Sequence, residues 1–190
     1  MTKICLIRHG QTDWNKLQRI QGRIDNPINM IGSNQAKTTG LYLKKHDPKW
    51  DVIMCSPLSR TIQTAEIIAQ QLNYQHPIIV NPNVIEREFG EADGVIITPE
   101  VYQRIINDDY KNLEITTTLQ QRARNAIIEI GRKYPNQKVL IVTHSHFIKG
   151  LFTTLDLGVT FTSPLYNGSL SYITIENDEF HSPIFNIKTD

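Results

Sequence analysis

Cysteine is scarce in this 190-residue chain: the only two, Cys5 and Cys55, lie inside the apolar runs "KICLI" and "VIMCS", and no CxxC pair occurs. That argues against a disulfide framework and for two reduced, buried thiols. Long hydrophobic runs are missing too. Nothing approaches the ~18 apolar residues of a membrane span, and the apolar run near the N-terminus is too short for a secretory signal. The expectation is a cytoplasmic protein with no membrane partner. Nor is there an excess of charge of one sign. Lys plus Arg is 20 and Asp plus Glu is 19, a formal net charge of +1, so the broad basic face of a dedicated nucleic-acid binder is not expected. Partners must be chosen by local sites. Repeats, low-complexity tracts and long linkers are absent as well, and the length suits one well-buried domain over 1–190.

What the chain does contain is an alternation of short apolar runs with amphipathic segments. "KICLIR" (3–8), "WDVIMCS" (50–56) and "KVLIVTH" (138–144) are continuous, β-branched runs, the pattern of strands covered on both faces. Between them, helices are predicted over 33–45, 57–72 and 117–134. In the last, Leu119, Ala123, Ala126, Ile127 and Ile130 form an apolar stripe at helical period. The end of the chain changes character: "SLSYITIEN" and "FHSPIFNI" alternate apolar and polar residues around an Asn-Asp turn, which predicts a hairpin. The fold class that follows is α/β, a three-layer α/β/α arrangement with a mostly parallel central sheet and the hairpin at its edge. Residues 87–118 begin with the Gly-rich "FGEADG", carry a short predicted helix over 99–107, and read as an excursion over the active site.

In a parallel sheet the strands' carboxyl ends share one rim, where ligands bind. Arg8 and His9 follow the first run, His144 follows the third, and Arg60 enters in the first turn of the helix after the second. Ser56 is the expected N-cap of that helix and Pro57 its first residue, so an anion-favouring helix N-terminus should lie beside the same rim. Two forked guanidinium groups and a histidine suit a phosphate group. "THSH" (143–146) also allows a His-x-His metal reading, but carboxylates and further histidines at ligand spacing are lacking. No metal and no organic cofactor are expected. "IEREFGEAD" supplies Glu86, Glu88, Glu91 and Asp93 as candidate proton donors, and composition does not choose among them.

Five blocks in order, "LIRHGQTDWN", "QGRIDNPI", "CSPLSRTIQTAE", "IEREFGEADG" and "VLIVTHSHFIKGL", resemble the histidine phosphatase superfamily, in the branch that contains cofactor-dependent phosphoglycerate mutases and their phosphatase relatives. The resemblance covers residues 3 to about 155. It implies His9 as nucleophile, Arg8, Arg60 and His144 as the phosphate pocket, and Glu86 as proton donor. It further places Asn15, Gln21 and Gly22 at phosphate or substrate contacts. Ser145 departs from the family's commoner glycine, but its backbone N–H can still face a phosphate.

On that resemblance the expected activity is a metal-independent phosphatase that acts on a small phosphorylated metabolite through a phosphohistidine on His9. Neutral His9 would attack phosphorus, and Gly10, lacking a side chain, would let backbone approach the phosphate oxygens. One carboxyl group, Glu86, would serve first as acid and then as base. Two other readings remain. A phosphoglycerate mutase would want extra basic residues in the excursion, where only Arg87, Arg104 and Lys111 occur, among Tyr102, Tyr110, Ile105 and Ile106. A catalytically inactive phosphate-sensing module would have lost His9, Glu86 or an arginine, and all are present.

Overall fold

The computed structural model describes residues 1–189. Among the described residues six strands form one sheet, in the order β3 (Ile79–Val80), β2 (Val52–Cys55), β4 (Lys138–Thr143), β1 (Thr2–Arg8), β5 (Leu170–Glu176), β6 (Glu179–Ile187). The centre consists of β1 (Thr2–Arg8), β2 (Val52–Cys55) and β4 (Lys138–Thr143), with β1 and β2 each running parallel to β4. All three match the continuous apolar runs. Alternate residues along these strands face opposite layers, as a period of two requires. Ile4, Leu6, Val52, Met54, Val139 and Ile141 pack with helices α5 (Thr116–Lys133) and α6 (Ser145–Phe152). Cys5, Ile7, Ile53, Cys55, Leu140 and Val142 pack with α2 (Met30–His46) and α3 (Ser59–Leu72). The sheet is therefore covered on both faces, which is why its central strands carry no polar stripe. Both cysteines are buried and unpaired, and among the described residues no helix is long and apolar enough to cross a membrane.

The hairpin is β5 (Leu170–Glu176) and β6 (Glu179–Ile187), and β6 forms one edge of the sheet. Its two-residue turn, Asn177-Asp178, has positive φ at both positions, the type I′ geometry that matches strand twist. The opposite edge is the two-residue strand β3 (Ile79–Val80), too short to leave a pattern in the sequence.

Helix starts are where sequence and structure differ. The α2 helix begins at Met30, three residues ahead of expectation, because the Asn29 side chain caps it by accepting from the Gly32 N–H at 2.9 Å. Met30 and Ile31 are exposed in that first turn, so no apolar stripe announced them. The α3 helix begins at Ser59, two residues later than Pro57, and Leu58 is its N-cap residue. Ser56 does not cap it as expected; its hydroxyl faces Thr61 and His144 instead. The sequence also did not suggest the four-residue α1 (Asp13–Lys16) or α6.

The excursion contains α4 (Pro99–Ile106), close to the predicted helix. It carries a small core of its own, in which Phe89, Ala92, Ile105 and Leu113 meet Ile20. Through Ile20 this small core joins the segment that follows α1 (Asp13–Lys16).

Directly after β1, Gly10 sits against Gly32 of α2. A Cβ on Gly10 would collide with the Gly32 carbonyl, and a Cβ on Gly32 would collide with the Gln11 carbonyl. Gly10 is thus required for helix-to-strand approach, and its N–H donates to Thr64 Oγ1 at 3.0 Å instead of lying open toward the pocket as expected. Replacing Gly32 by Ala should lower unfolding free energy by about 1–3 kcal/mol, the usual range for overpacking. Urea unfolding checks this, and unchanged stability in Gly32→Ala would show that the approach can relax.

Candidate active site

His9 is the first residue beyond β1, and its N–H continues the ladder to the Thr143 carbonyl at 3.0 Å. That bond seats His9 beside His144, with ring centroids 5.3 Å apart and planes at 61°. The Nδ1 of His9 lies 2.7 Å from the Gly10 carbonyl. A carbonyl can only accept, so Nδ1 carries the proton and Nε2 holds the free lone pair. Burial, followed by the nearby Arg60 and Arg8 charges, pushes the His9 pKa well below the usual histidine value. The ring is neutral at pH 7, as a nucleophile must be.

The two guanidinium groups are held by carbonyls. Arg60, 1 % exposed, donates to Gly22 O at 2.7 Å and Ile24 O at 2.8 Å. Arg8 donates to Leu165 O at 2.5 Å. The Nε of each lacks a partner among the described residues. Burial lowers the Arg60 pKa to about 10, which leaves it charged. Gly22, at φ +51°, turns the chain so that its carbonyl meets Arg60, and a Cβ there would strike Asp93.

His144 accepts or donates through Nε2 to Ser56 Oγ at 2.6 Å, while its buried Nδ1 has no partner among the described residues. Burial first, and then Arg60, His9 and Arg8, lower its pKa well below the ordinary value. The N-terminus of α3 is less available than expected: the Ser59 N–H and hydroxyl both donate to Asp25, each at 2.7 Å. The anion beside that helix is the protein's own.

Glu86 is buried and aimed into the start of α6. Its carboxylate accepts from the N–H groups of Arg87 at 2.9 Å, Phe147 at 3.1 Å and His146 at 3.3 Å. Arg122 of α5 grips the adjoining backbone, donating to Ile85 O at 2.9 Å and Glu86 O at 3.3 Å, and Glu114 fixes it in turn at 2.7 Å. Of the four acidic residues in "IEREFGEAD", only Glu86 lines the cavity that holds His9.

That cavity has a volume of about 210 Å³ and is walled by Arg8, His9, Asn15, Gln21, Gly22, Arg60, Glu86 and Ser145. The structure thereby brings eight of the nine sequence-identified residues to one space, with His144 behind His9. Asn15 and Gln21 are steadied through Thr12: Asn15 Oδ1 accepts from the Thr12 N–H at 3.1 Å, and Gln21 Oε1 accepts from the Thr12 hydroxyl at 2.8 Å. A larger cavity of about 490 Å³ shares Arg8 but contains none of the other eight.

Sequence reading missed Lys149 and Arg19 as cavity residues, and it placed His146 only in a metal motif. All three line the cavity. The signal available was a lysine inside the apolar "HFIKGLF", where a solvated charge has no reason to sit. Of the excursion's basic residues, none lines the cavity: Arg87 pairs with Asp108 at 2.6 Å and Arg104 with Asp109 at 3.0 Å. The excursion instead contributes Phe89, Ile97, Tyr102 and Ile105. His144 and His146 diverge, since the latter packs among Phe89, Tyr102 and Phe161. Among the described residues no group of three or more His, Cys, Asp or Glu side chains is placed to hold a metal ion.

Three buried histidines, His9, His144 and His146, have pKa values driven down chiefly by burial. As pH falls below about 6.5, the unfolded chain takes up protons that these three refuse in the folded state. Unfolding is then favoured by up to about 1.4 kcal/mol per pH unit for each histidine. Urea midpoints measured from pH 7.5 to 5 should drop steeply below pH 6.5, and a flat profile would contradict the burial of neutral rings.

Comparison with known proteins agrees with this geometry. A model of the histidine phosphatase superfamily (branch 1) matches residues 4–188. The chain is 38 % identical over 191 residues to a Bacillus subtilis (strain 168) protein named Uncharacterized phosphatase PhoE, covering 100 % of this chain and 96 % of that one. It is 29 % identical to Phosphoserine phosphatase 1 of Hydrogenobacter thermophilus, over 93 % of this chain and 88 % of the other. The solved structure of Bacillus stearothermophilus YhfR superposes with a TM-score of 0.86 at 26 % identity, covering 100 % and 99 % of the two chains. This protein belongs to branch 1 of the histidine phosphatase superfamily and is a phosphoric monoester hydrolase.

Proposed function

We propose that the chain hydrolyses small phosphomonoesters in two steps through a phosphohistidine on His9, without a metal. The observation that carries this reading is the state of His9: neutral, with Nδ1–H held by its own chain and Nε2 free, close to the buried Arg60 and the half-buried Arg8. In the first step Nε2 attacks phosphorus and the ester P–O bond breaks. Arg8, Arg60 and the unpartnered Nδ1 of His144 hold the non-bridging oxygens as charge develops; donors of this kind are worth about 3–4 kcal/mol each in a transition state. Glu86 gives its proton to the leaving oxygen, and the resulting carboxylate is received by the three N–H groups already aimed at it. In the second step Glu86 takes a proton from water, the hydroxide attacks phosphorus, the N–P bond breaks, and inorganic phosphate leaves.

The cavity, at about 210 Å³, lies below the ~300–1,000 Å³ of drug-sized sites, so a small phosphorylated metabolite is the fitting partner. Asn15, Gln21, Gly22 and Ser145 border it as substrate contacts. Two buried free thiols accord with a cytoplasmic location. A relative bears the name phosphoserine phosphatase, which places carboxylated substrates within the range to be tried.

Labelled substrate quenched without acid, in buffer containing a chelator, should leave an acid-labile, base-stable adduct that His9→Ala abolishes. Label on a serine or aspartate would exclude the mechanism. Glu86→Gln should slow alkyl phosphates far more than aryl phosphates, whose leaving oxygens need less protonation; equal losses would remove Glu86 from the acid's place.

Against the mutase reading stands the lining contributed by the excursion, which holds no basic residue. A mutase must shield its phosphoenzyme from water until a second acceptor is phosphorylated. The expected outcome is stoichiometric phosphate release, with isomerisation of 3-phosphoglycerate slower by orders of magnitude even when 2,3-bisphosphoglycerate is supplied. Rapid isomerisation with little free phosphate would reverse the assignment.

A further inference from the structure

The charges around the cavity do not balance for a plain phosphomonoester. Arg8, Arg19, Arg60 and Lys149 line it against one carboxylate, Glu86. A phosphate dianion offsets two of the four cations, and three are offset once Glu86 has given up its proton. Arg19 is exposed at the rim, where water screens it and where it donates to Gly94 O at 2.7 Å. Lys149 is different. It is 7 % exposed, and its ammonium has three donors, of which the structure satisfies one, toward Phe161 O at 2.8 Å. One turn earlier on α6, His146 is also 7 % exposed, and its Nδ1 has no partner among the described residues. A buried ammonium with open donors is costly unless an anion completes it.

We infer that Lys149 determines specificity by receiving a carboxylate at the far end of the substrate, so that short phosphomonoesters bearing a carboxylate are preferred over those ending in a neutral alcohol. This rests on the phosphatase reading above. Lys149 and His146 line the cavity from α6, and Phe89, Ile97 and Ile105 line it from the excursion, Phe89 in edge contact with His146. The carbon chain of a substrate would lie along that apolar side and its carboxylate against the ammonium. A carboxylate is favoured over a second phosphate because about 210 Å³ leaves little room beyond one phosphoryl group and a few atoms. The groups that set the charge of Lys149 are Arg8 from β1 and Glu86; burial and Arg8 bring its pKa down to about 8, and Glu86 works in the opposite direction. The neutral His146 and the Tyr102 hydroxyl, which donates to the same Phe161 carbonyl, complete its surroundings.

The test compares 3-phosphoglycerate with glycerol 3-phosphate, which differ only by carboxylate against hydroxymethyl, with phosphate release as the readout. The wild-type chain should favour 3-phosphoglycerate in kcat/KM by about tenfold or more, the scale of one charge-assisted hydrogen bond. Lys149→Met should lose at least tenfold more on 3-phosphoglycerate than on glycerol 3-phosphate, and Lys149→Arg should restore part of the preference. If Lys149 only braces the Phe161 carbonyl, both substrates will suffer equally, and the inference is overturned. A second measurement needs no variant: the wild-type preference should decline as pH rises through about 8, and a constant ratio from pH 7 to 9.5 would overturn it too. Hydrolysis of both substrates at equal efficiency sinks the role of Lys149 alone, whereas no phosphate release from either, or from an aryl phosphate, sinks the phosphatase reading beneath it.

Discussion

Two guanidinium ions, Arg60 buried and Arg8 half-buried, lie at the end of a parallel sheet and are held by carbonyl oxygens instead of carboxylates. Most of the site depends on that choice of partner. A carboxylate would have satisfied each arginine and cancelled its charge, and a phosphate would then have nothing to gain. Carbonyls fix orientation while leaving the charge uncompensated. Burying such charges costs several kcal/mol each, and the apolar layers on both faces of the sheet offset that cost. Burial first, and these charges after it, push the pKa values of His9 and His144 down. Neutral imidazoles and cationic guanidinium groups thus share one buried arrangement.

The geometry of that arrangement is set by backbone. His9 is placed by a ladder bond to Thr143, its tautomer by the next carbonyl, and that carbonyl by a glycine-to-glycine contact with α2. The loop at residues 22–24 is shaped to present two carbonyls to Arg60. Substitutions at Gly10, Gly22 or Gly32 would therefore reach the chemistry through the backbone without removing any reacting group.

Much of this was legible in the sequence, for physical reasons that differ by element. The three central strands were readable because double coverage leaves uninterrupted apolar runs, and the hairpin because Asn177-Asp178 satisfies a turn that few residue pairs can. Arg8, His9, Arg60 and His144 could be grouped because parallel strands share a rim, while the choice of Glu86 over its acidic neighbours came from the family pattern. Helix starts were less legible: the α2 cap precedes any apolar stripe, and Ser56, well suited to capping, was drawn to His144 instead. Lys149 went unread because its role depends on α6 folding back beneath the excursion, a tertiary fact that periodicity does not carry.

The structure also separates what must stay fixed from what can vary. Glu86 is located by α5, through Arg122 and Glu114, and by the first N–H groups of α6. Arg87, the next residue, is fully buried and reaches the Glu114 carbonyl and Asp108, and Asp108 in turn accepts from Thr116 at the head of α5. The base of the excursion is thereby locked to the core at both ends. Phe89, Ile97, Tyr102 and Ile105, which line the cavity, lie between those locks. Changes at these four positions can reshape the far end of the cavity while Glu86 stays where it is. On the function proposed above, such a division would let one phosphoryl-transfer apparatus serve different small substrates, with chemistry anchored in the sheet and selection carried by the excursion and α6.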